Sequence, residues 1–396
     1  MGILNLLFTI FLLICLPLGQ LFPIELGNGI RVSFLDGGLA VFLILWIIQT
    51  WRNRKRLSSL IRPLSIFTGI AVVSLLLQIP SLKTSELLIS FLYLARWIMY
   101  GIIIIPVMNF DKRFKTAIPY LLFLSSVITV FVGYFQYFFF PSLRGLTYEG
   151  WDPHLYRMFS TFLDPNFFGS FLVLAFLMGI GIFFTVKKRD AKVFLGTAIL
   201  LTLFGIFLTF SRSAYIALLV GLSLLVYLKG YKKWLFIVLG TVILLGGLSL
   251  ALLHRQSEGT NLLRTASTAA RIGNMQRAIS IIADNPILGV GFNAYRYAQH
   301  RKGFIGGQGW ETSHSGGGVN NSYLFVWATT GIFGLAAFFY LLVSFFRTAK
   351  RSKSTMSIVL LASLGAILVN SLFENTFFYP AVILWIFVLT GVIERD

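Results

Sequence analysis

The chain has 396 residues, of which 57% are hydrophobic and only 12% are charged, and its mean hydropathy is +0.83. A soluble globular domain carries about 25% charged residues, so the composition excludes that class and indicates a polytopic membrane protein. The single cysteine, Cys15, excludes an internal disulfide and a cysteine-based metal site. The first apolar segment lacks a basic leader and a small-residue cleavage motif, which predicts a retained span rather than a signal peptide.

Twelve apolar segments are close to or above the roughly 20 residues that cross a bilayer. Backbone groups in lipid must be satisfied internally, and no strand-like alternation is visible, so the segments predict helices. We therefore expect an all-α integral membrane protein of about 12 transmembrane helices, with residues 1–396 as one polytopic domain. The segments are 3–19, 35–51, 63–80, 86–107, 117–140, 160–186, 192–210, 213–228, 234–253, 320–346, 355–373 and 376–393.

The only long polar interval lies between the ninth and tenth segments, at residues 254–319. A structureless loop of this length is rare unless it is functional. The interval therefore predicts the site of the activity, in the loop or directly beneath it.

The distribution of basic residues predicts the orientation. Twenty of the 33 lysines and arginines fall on one side by segment parity. Cytoplasmic loops carry the excess of positive charge, so this side is predicted to be cytoplasmic, with both termini there and the 254–319 loop outside. The net charge of +19 is then mostly a topology signal, and no nucleic-acid partner is expected.

Arginine dominates the basic residues of the outer side, ten to two over lysine, whereas the cytoplasmic side holds 9 arginines and 11 lysines. Topology requires only positive charge, but the planar arginine fork binds phosphate oxygens in a bidentate way. The bias predicts an anion site outside. The alternative is that outer loops simply accommodate polar residues, which is sufficient to explain the four external histidines.

Two short motifs flank segments six to eight. Arg157 precedes Asp164-Pro165, where Asp164 is predicted to cap the next helix and Pro165 suits its first turn. Arg157 is then an anion ligand or an interfacial anchor. Arg212 lies where segments seven and eight meet outside through almost no loop, so it either faces a charged ligand or snorkels to the membrane surface.

The long loop is predicted to contain a short amphipathic helix over residues 264–285. Apolar residues recur there at helical spacing, at Ile272, Met275, Ile279 and Ile282. At about 100° per residue, Arg271 borders this apolar stripe, Arg277 points away from it, and Arg264 shares the face of Arg271. An arginine turned toward the packed side needs an anionic ligand or a structural carboxylate, for which the nearest candidates in sequence are Asp284 and Glu258.

Three glycines and two asparagines lead into the tenth segment. The glycines at 316–318 permit a hinge or a close backbone approach. Asn320 and Asn321 are predicted to cap the helix by default, and binding of sugar hydroxyls is the alternative. The earlier pair Gly289 and Gly291 is weak as a phosphate-binding fingerprint and favours a tight turn.

Taken together, five motifs resemble the bacterial O-antigen ligase and O-antigen polymerase family. The resemblance covers residues 150–393, the predicted ligase-like core, whereas the first four spans match only in character. It implies a membrane glycosyltransferase of surface polysaccharide biosynthesis, which acts on undecaprenyl-diphosphate-linked saccharides at the outer face of the bacterial inner membrane. The motifs are Arg157…Asp-Pro-Asn166, Phe-Ser-Arg212-Ser-Ala, Arg271…Asp-Asn-Pro286-Ile-Leu-Gly-Val-Gly291, Asn321-Ser-Tyr-Leu…Gly331-Ile-Phe-Gly334 and Asn370-Ser-Leu-Phe-Glu374.

The resemblance also implies residue roles. The family's diphosphate-binding arginines correspond to Arg212 and Arg271, and we add Arg157 and Arg264 to that set and place Asn320 and Asn321 at the sugar. The family usually has His-Asn at positions 320 and 321, and that histidine is thought to activate the acceptor. An asparagine cannot accept the proton, so His314 is the predicted substitute, with Glu311 second, and the 254–319 loop is the predicted catalytic loop.

The expected reaction needs no cofactor and no metal. Its partners are the polyprenyl-diphosphate donor, a glycan or glycolipid acceptor and membrane lipid. The alternative function is a transporter or flippase of the same lipids, which would place its site near the membrane midplane. Arg96 is the only clear mid-span charge, and it is expected to be structural or to line the cavity, with a partner that the neighbouring sequence does not supply.

Overall fold

A computed structural model describes residues 2–25, 31–51, 55–231, 233, 240, 244, 247, 258–262, 265–307, 309–311, 317–352 and 354–394. Its regular structure is almost entirely helical, which confirms the all-α class. A short antiparallel pair joins β1 (Ile24–Glu25) to β2 (Arg31–Val32). Single 3₁₀ turns lie at Arg144–Glu149, Ser160–Phe162, Glu258–Thr260 and Thr376–Phe378.

Among the described residues, five helices are long and apolar enough to cross a membrane: α4 (Thr84–Asn109), α5 (Lys112–Phe139), α6 (Pro165–Phe183), α7 (Arg189–Leu208) and α11 (Ser322–Arg351). Further apolar helices in the described ranges are shorter, namely α1 (Gly2–Leu18), α2 (Phe34–Thr50), α3 (Ile61–Leu76), α8 (Arg212–Leu228), α12 (Thr355–Asn370) and α13 (Pro380–Ile393). Helices α9 (Ala266–Asp284) and α10 (Tyr295–Arg301) lie in the long polar interval. Most of the predicted ninth segment, 234–253, lies outside the described residues, so the count of twelve spans stays a prediction.

The centre of the bundle is formed by α6, α12 and α13, whose side chains are buried along almost their whole length. Helix α12 packs against α8 and α6, and α11 packs against α3. The peripheral helices expose large apolar side chains such as Ile48 and Phe131, which suits contact with lipid. The central helices thus provide a rigid support for the loops at their ends.

Helix α11 is broken at Gly331, whose φ of 68° is in the left-handed region. The segment 286–291 packs into the break, where the N–H of Ile332 donates to the carbonyl of Pro286 at 2.9 Å. A Cβ at position 331 would lie 1.9 Å from the carbonyl oxygen of Ile287, so only glycine fits there. Gly331 therefore allows the long loop to pack against the break in α11.

Helix α9 confirms the amphipathic helix that was predicted over 264–285, but the predicted buried stripe was only partly right. Ile282 is buried as predicted, whereas Ile272 and Ile279 are 52% and 56% exposed. The other buried residues include Asn274, Ala278 and Ile281. The helix packs on α11 through a face that combines small and polar residues with apolar ones. Close approach of two helices selected that face, and helical periodicity of apolar residues alone did not identify it.

Because the buried face of α9 differs from the predicted one, the environments of two of its arginines also differ from the prediction. Arg271 lies within the packed face and is only 16% exposed. The prediction that Arg277 points away was also wrong, because its Nε is buried and makes no hydrogen bond within the described residues. Arg277 therefore cannot serve as a solvent-facing comparison for Arg271.

Arg96 of α4 has a carboxylate partner that is distant in sequence. It forms an ion pair with Asp36, in the first turn of α2, and its guanidinium lies 4.9 Å from the ring centre of Tyr93. The other oxygen of Asp36 accepts a hydrogen bond of 3.0 Å from the hydroxyl of Tyr100. These contacts support a structural role for Arg96.

Candidate functional site

Polar side chains from separate parts of the chain converge where helices α6, α11 and α13 begin and α12 ends. We define the buried polar cluster as Arg157, Asp164, Arg271, Asn320 and Glu374. Arg157 and Asp164 precede α6, Arg271 lies in α9, Asn320 precedes α11 and Glu374 follows α12. The other four residues interact with Glu374 through hydrogen bonds, an ion pair or their charge. Such convergence in a largely buried position is typical of functional sites.

Glu374 is the centre of the cluster. It follows α12 directly, and its backbone N–H donates to the carbonyl of Asn370 at 3.1 Å. Its side chain is 5% exposed; Oε1 pairs with Arg271, and Oε2 accepts a 2.9 Å hydrogen bond from the amide of Asn320. Burial raises the pKa of the Glu374 carboxyl above its ordinary value, and the nearby charge of Asp164 adds to this, whereas Arg271 opposes it.

Helix α9 is held by polar contacts to the end of α12 and to the residues before α11. Arg271 pairs with Glu374, which follows α12. Asn274, one turn further along α9, accepts a 2.9 Å hydrogen bond at Oδ1 from the backbone N–H of Asn320, and its Nδ2 donates to the carbonyl of Gly318 at 3.3 Å. Because Asn274 is only 4% exposed, this contact is sheltered from water. Together they fix both Arg271 and Asn320 relative to Glu374.

Arg212 is the first residue of α8 and reaches the beginning of α9. Its guanidinium donates to the hydroxyl of Thr268 at 3.1 Å and to the carbonyl of Leu262 at 3.4 Å. The charge of Arg271 acts on Arg212, so the two guanidinium groups lie close enough to repel each other. Two cations held together in this way form a suitable site for an anion. The structure thus brings together the two arginines that the sequence assigned to one diphosphate site.

Arg157 is inside the protein, 3% exposed, and not at an interface with lipid and water. Its Nε donates to the carbonyl of Thr209 at 2.8 Å, and Nη2 donates to Oδ1 of Asn166 at 3.0 Å. These bonds tie the beginning of α6 to the end of α7. Asp164 caps α6 as predicted, since its Oδ1 accepts from the N–H of Asn166 at 2.6 Å.

The two asparagines of the Asn320-Asn321 pair have different environments. Asn321 caps α11, as expected by default: its Oδ1 accepts from the N–H groups of Tyr323 and Leu324, both at 2.9 Å. Its amide nitrogen donates to the carbonyl of Leu372 at 3.1 Å. Asn320 instead contacts Glu374, so only Asn320 belongs to the buried polar cluster.

The predicted catalytic pair is only partly visible. His314 and the predicted diphosphate ligand Arg264 lie outside the described residues. Glu311 is exposed, and its charge acts on Arg296 and Tyr297, at helix α10. In the part of the chain that the structure describes, no group of three or more His, Cys, Asp or Glu residues could hold a metal ion.

Sequence reasoning missed the central role of Glu374 and the contact of Asn274. Glu374 was visible as the last residue of the fifth motif, but it lies 103 residues from Arg271 along the chain. The sequence indicated this residue only as an acid that closely follows an apolar helix. It did not indicate which arginine Glu374 pairs with.

The family model described as O-Antigen ligase matches residues 197–339. That range contains Arg212, Arg271 and Asn320, whereas Arg157 and Glu374 lie on either side of it. No curated protein sequence matches the chain.

Proposed function

Because the O-antigen ligase family model matches residues 197–339, we propose that this chain is a membrane glycosyltransferase of that family. It uses a polyprenyl-diphosphate-linked saccharide as donor. It transfers or polymerises saccharide units onto a glycan or glycolipid acceptor at the outer face of the bacterial inner membrane. The observation that carries the proposal is that Arg212 contacts Thr268 at the beginning of α9, the helix whose Arg271 pairs with Glu374 in the buried polar cluster. The charge of Arg271 also acts on Arg212.

The chemistry of such a donor fits these residues. The saccharide is linked through its anomeric carbon to a diphosphate, which is already a good leaving group. When that bond breaks, negative charge develops on the diphosphate, and preorganised arginines in a partly dry site stabilise it strongly. In this proposal Arg212 and Arg271 bind the diphosphate through bidentate contacts, with Arg264 as a further ligand.

The other residues of the site have supporting roles in the proposal. Arg157 holds the ends of α6 and α7 in place beside the diphosphate site, because its donors are directed at Thr209 and Asn166. Asn321 fixes the start of α11, and Asn320 faces the saccharide from the cluster. His314 and Glu311 belong to the outer loop on the acceptor side. The helices around the site admit the lipid tail of the donor from the bilayer.

The test is a reaction without a compartment. The full chain is purified in detergent and mixed with the lipid-linked saccharide extracted from a deletion strain of its source organism, with membranes of that strain as acceptor. Formation of glycosylated acceptor and release of polyprenyl diphosphate supports the transferase. If no product forms in detergent, but reconstituted vesicles move the donor across the bilayer, the protein is a transporter.

The proposed orientation predicts the labelling of an introduced cysteine. Gly306 is exposed, and a Cβ at that position would meet nothing within 4 Å, so Gly306→Cys should fold normally. In a Cys15→Ser background, an impermeant thiol reagent should label this cysteine in intact cells, because the 254–319 loop is external. Labelling that occurs only after lysis would reverse the orientation.

A further inference from the structure

Asn320 raises a question about the proton in the proposed reaction. The acceptor hydroxyl must lose a proton when it attacks. In the O-antigen ligase family that the sequence resembles, a histidine usually occupies position 320. The amide of Asn320 cannot accept a proton near neutral pH. The side chain that this amide contacts is the carboxylate of Glu374, through a 2.9 Å hydrogen bond.

Two carboxylates belong to the buried polar cluster, and their surroundings differ. Asp164 is occupied as the cap of α6, with N–H groups of Asn166 and Phe167 donating to it at 2.6 and 3.2 Å. Within the described residues, the carboxylate of Glu374 is contacted by two side chains, Arg271 at one oxygen and Asn320 at the other. Both of these side chains belong to the proposed substrate site, so a bound donor would sit beside Glu374.

We propose that Glu374 is the general base of the transfer and that it takes the role which a histidine at position 320 would have. This inference rests on the proposed function and assigns a catalytic residue to it. Asn320 acts as the positioning residue, because its amide fixes the carboxylate oxygen opposite the one held by Arg271.

The step balances without another reactant. The oxygen of the acceptor hydroxyl forms a bond to the anomeric carbon, and the bond from that carbon to the diphosphate oxygen breaks. The diphosphate leaves with the electron pair, and Arg271 and Arg212 stabilise its charge. The hydroxyl proton passes to the Glu374 carboxylate, which then loses it to water.

The ion pair gives Glu374 the properties that a base needs. Without donor, the charge of Arg271 stabilises the ionised form of the carboxylate. When the diphosphate draws the charge of Arg271 toward itself, less positive charge is left to stabilise the buried carboxylate of Glu374. The proton affinity of Glu374 therefore increases. Its pKa is raised by burial, with Asp164 adding to this and Arg271, Arg157 and Asn320 opposing it. A base is most effective when its pKa approaches the working pH.

The first test is Glu374→Gln, which keeps the size and hydrogen-bonding capacity of the side chain but removes the base. Turnover of the extracted lipid-linked saccharide by the full chain should fall about 10²–10⁴-fold, the usual contribution of a general base. Binding of undecaprenyl diphosphate should stay within about threefold of wild type, well under the tenfold that 1.4 kcal/mol represents. If turnover is unchanged, the proposal is overturned.

The second test is rescue by the residue that the family carries. In Glu374→Gln, the further change Asn320→His places an imidazole next to position 374 and should restore at least tenfold of the lost turnover. The restored activity should fall as the pH falls through the imidazole range, near pH 6.5, because protonation removes the base. If Glu374 only positioned Arg271, Asn320→His would restore nothing, and Glu374→Gln would weaken undecaprenyl diphosphate binding instead.

The matched control is Glu149→Gln, which removes the other described arginine–glutamate pair, with Arg31, at 3.5 Å. It should have wild-type turnover. If Glu374→Gln does not accumulate, Glu374→Asp keeps the charge and withdraws the base by one methylene, and it should lose turnover with binding intact. The proposal would be overturned if Glu374→Gln or Glu374→Asp were fully active. Inactivity of Glu311→Gln or His314→Ala in the same assay would then assign the base to the outer loop. If the wild type itself forms no product, the proposed function fails instead.

Discussion

Replacing Arg212 with glutamine should lower glycosyl transfer about 10²–10³-fold, the usual effect of removing one donor that stabilises developing charge. Abundance should be close to wild type, because the hydrogen bonds that Arg212 makes to Thr268 and Leu262 are near the surface. The loss should appear in turnover more than in expression, since the arginine contributes most when charge develops on the diphosphate. Initial rates with extracted lipid-linked saccharide measure it.

The same prediction extends to Arg271, where the choice of variant matters. Removing its charge would leave Glu374 buried without its ion-pair partner, so Arg271→Lys is the better change. The lysine keeps the ion pair with Glu374 but cannot make the bidentate contacts of arginine. Arg271→Lys should therefore retain less than about a tenth of the wild-type activity. The double variant with Arg212→Gln should be little worse than the poorer single variant if the two arginines act as one unit.

Arg301 supplies the control for both arginines. It lies in the same 254–319 loop, is exposed, and donates to the carbonyl of Ser81 within the described part of the chain. Arg301→Gln should therefore have normal turnover. Strictly additive losses in the double variant, or activity retained by Arg212→Gln at normal abundance, would contradict a shared diphosphate site.

A second large effect is expected on stability, from the pair between Arg96 and Asp36. Asp36→Asn should destabilise the protein by about 3–5 kcal/mol, because Arg96, whose side chain is only 25% exposed, then loses its carboxylate partner. Arg96→Met should be similarly harmful, since Asp36 is then unpaired. The melting temperature of the purified protein in detergent and its abundance in the membrane measure the change.

Removing both charges provides the control for this pair. In Arg96→Met with Asp36→Leu no buried charge is left, so much of the lost stability should return. Donor binding by the folded fraction should be unchanged in every variant. A stable and abundant Arg96→Met protein that cannot bind undecaprenyl diphosphate would show that Arg96 contacts substrate.

The sequence by itself determined the features that depend on local chemistry. Hydrophobic segments identified the membrane class and the apolar helices, because burial in lipid requires a continuous apolar stretch. Asp164-Pro165 marked the beginning of α6, and the apolar repeat before Pro286 marked α9, since capping and periodicity act within a few residues. The motifs around Arg212 and Arg271 also pointed to the family.

The tertiary structure decided which residues meet. Arg271 pairs with Glu374 from 103 residues away and Arg96 with Asp36 from 60, and nothing in the local sequence specifies either distance. It also decided the buried face of α9, where Asn274 and Ala278 pack inward and Ile272 does not. The physical reason is the same in each case: a buried charge requires a partner and a helix requires a packed face, but only the folded arrangement of the other helices determines which partner and which face are within reach.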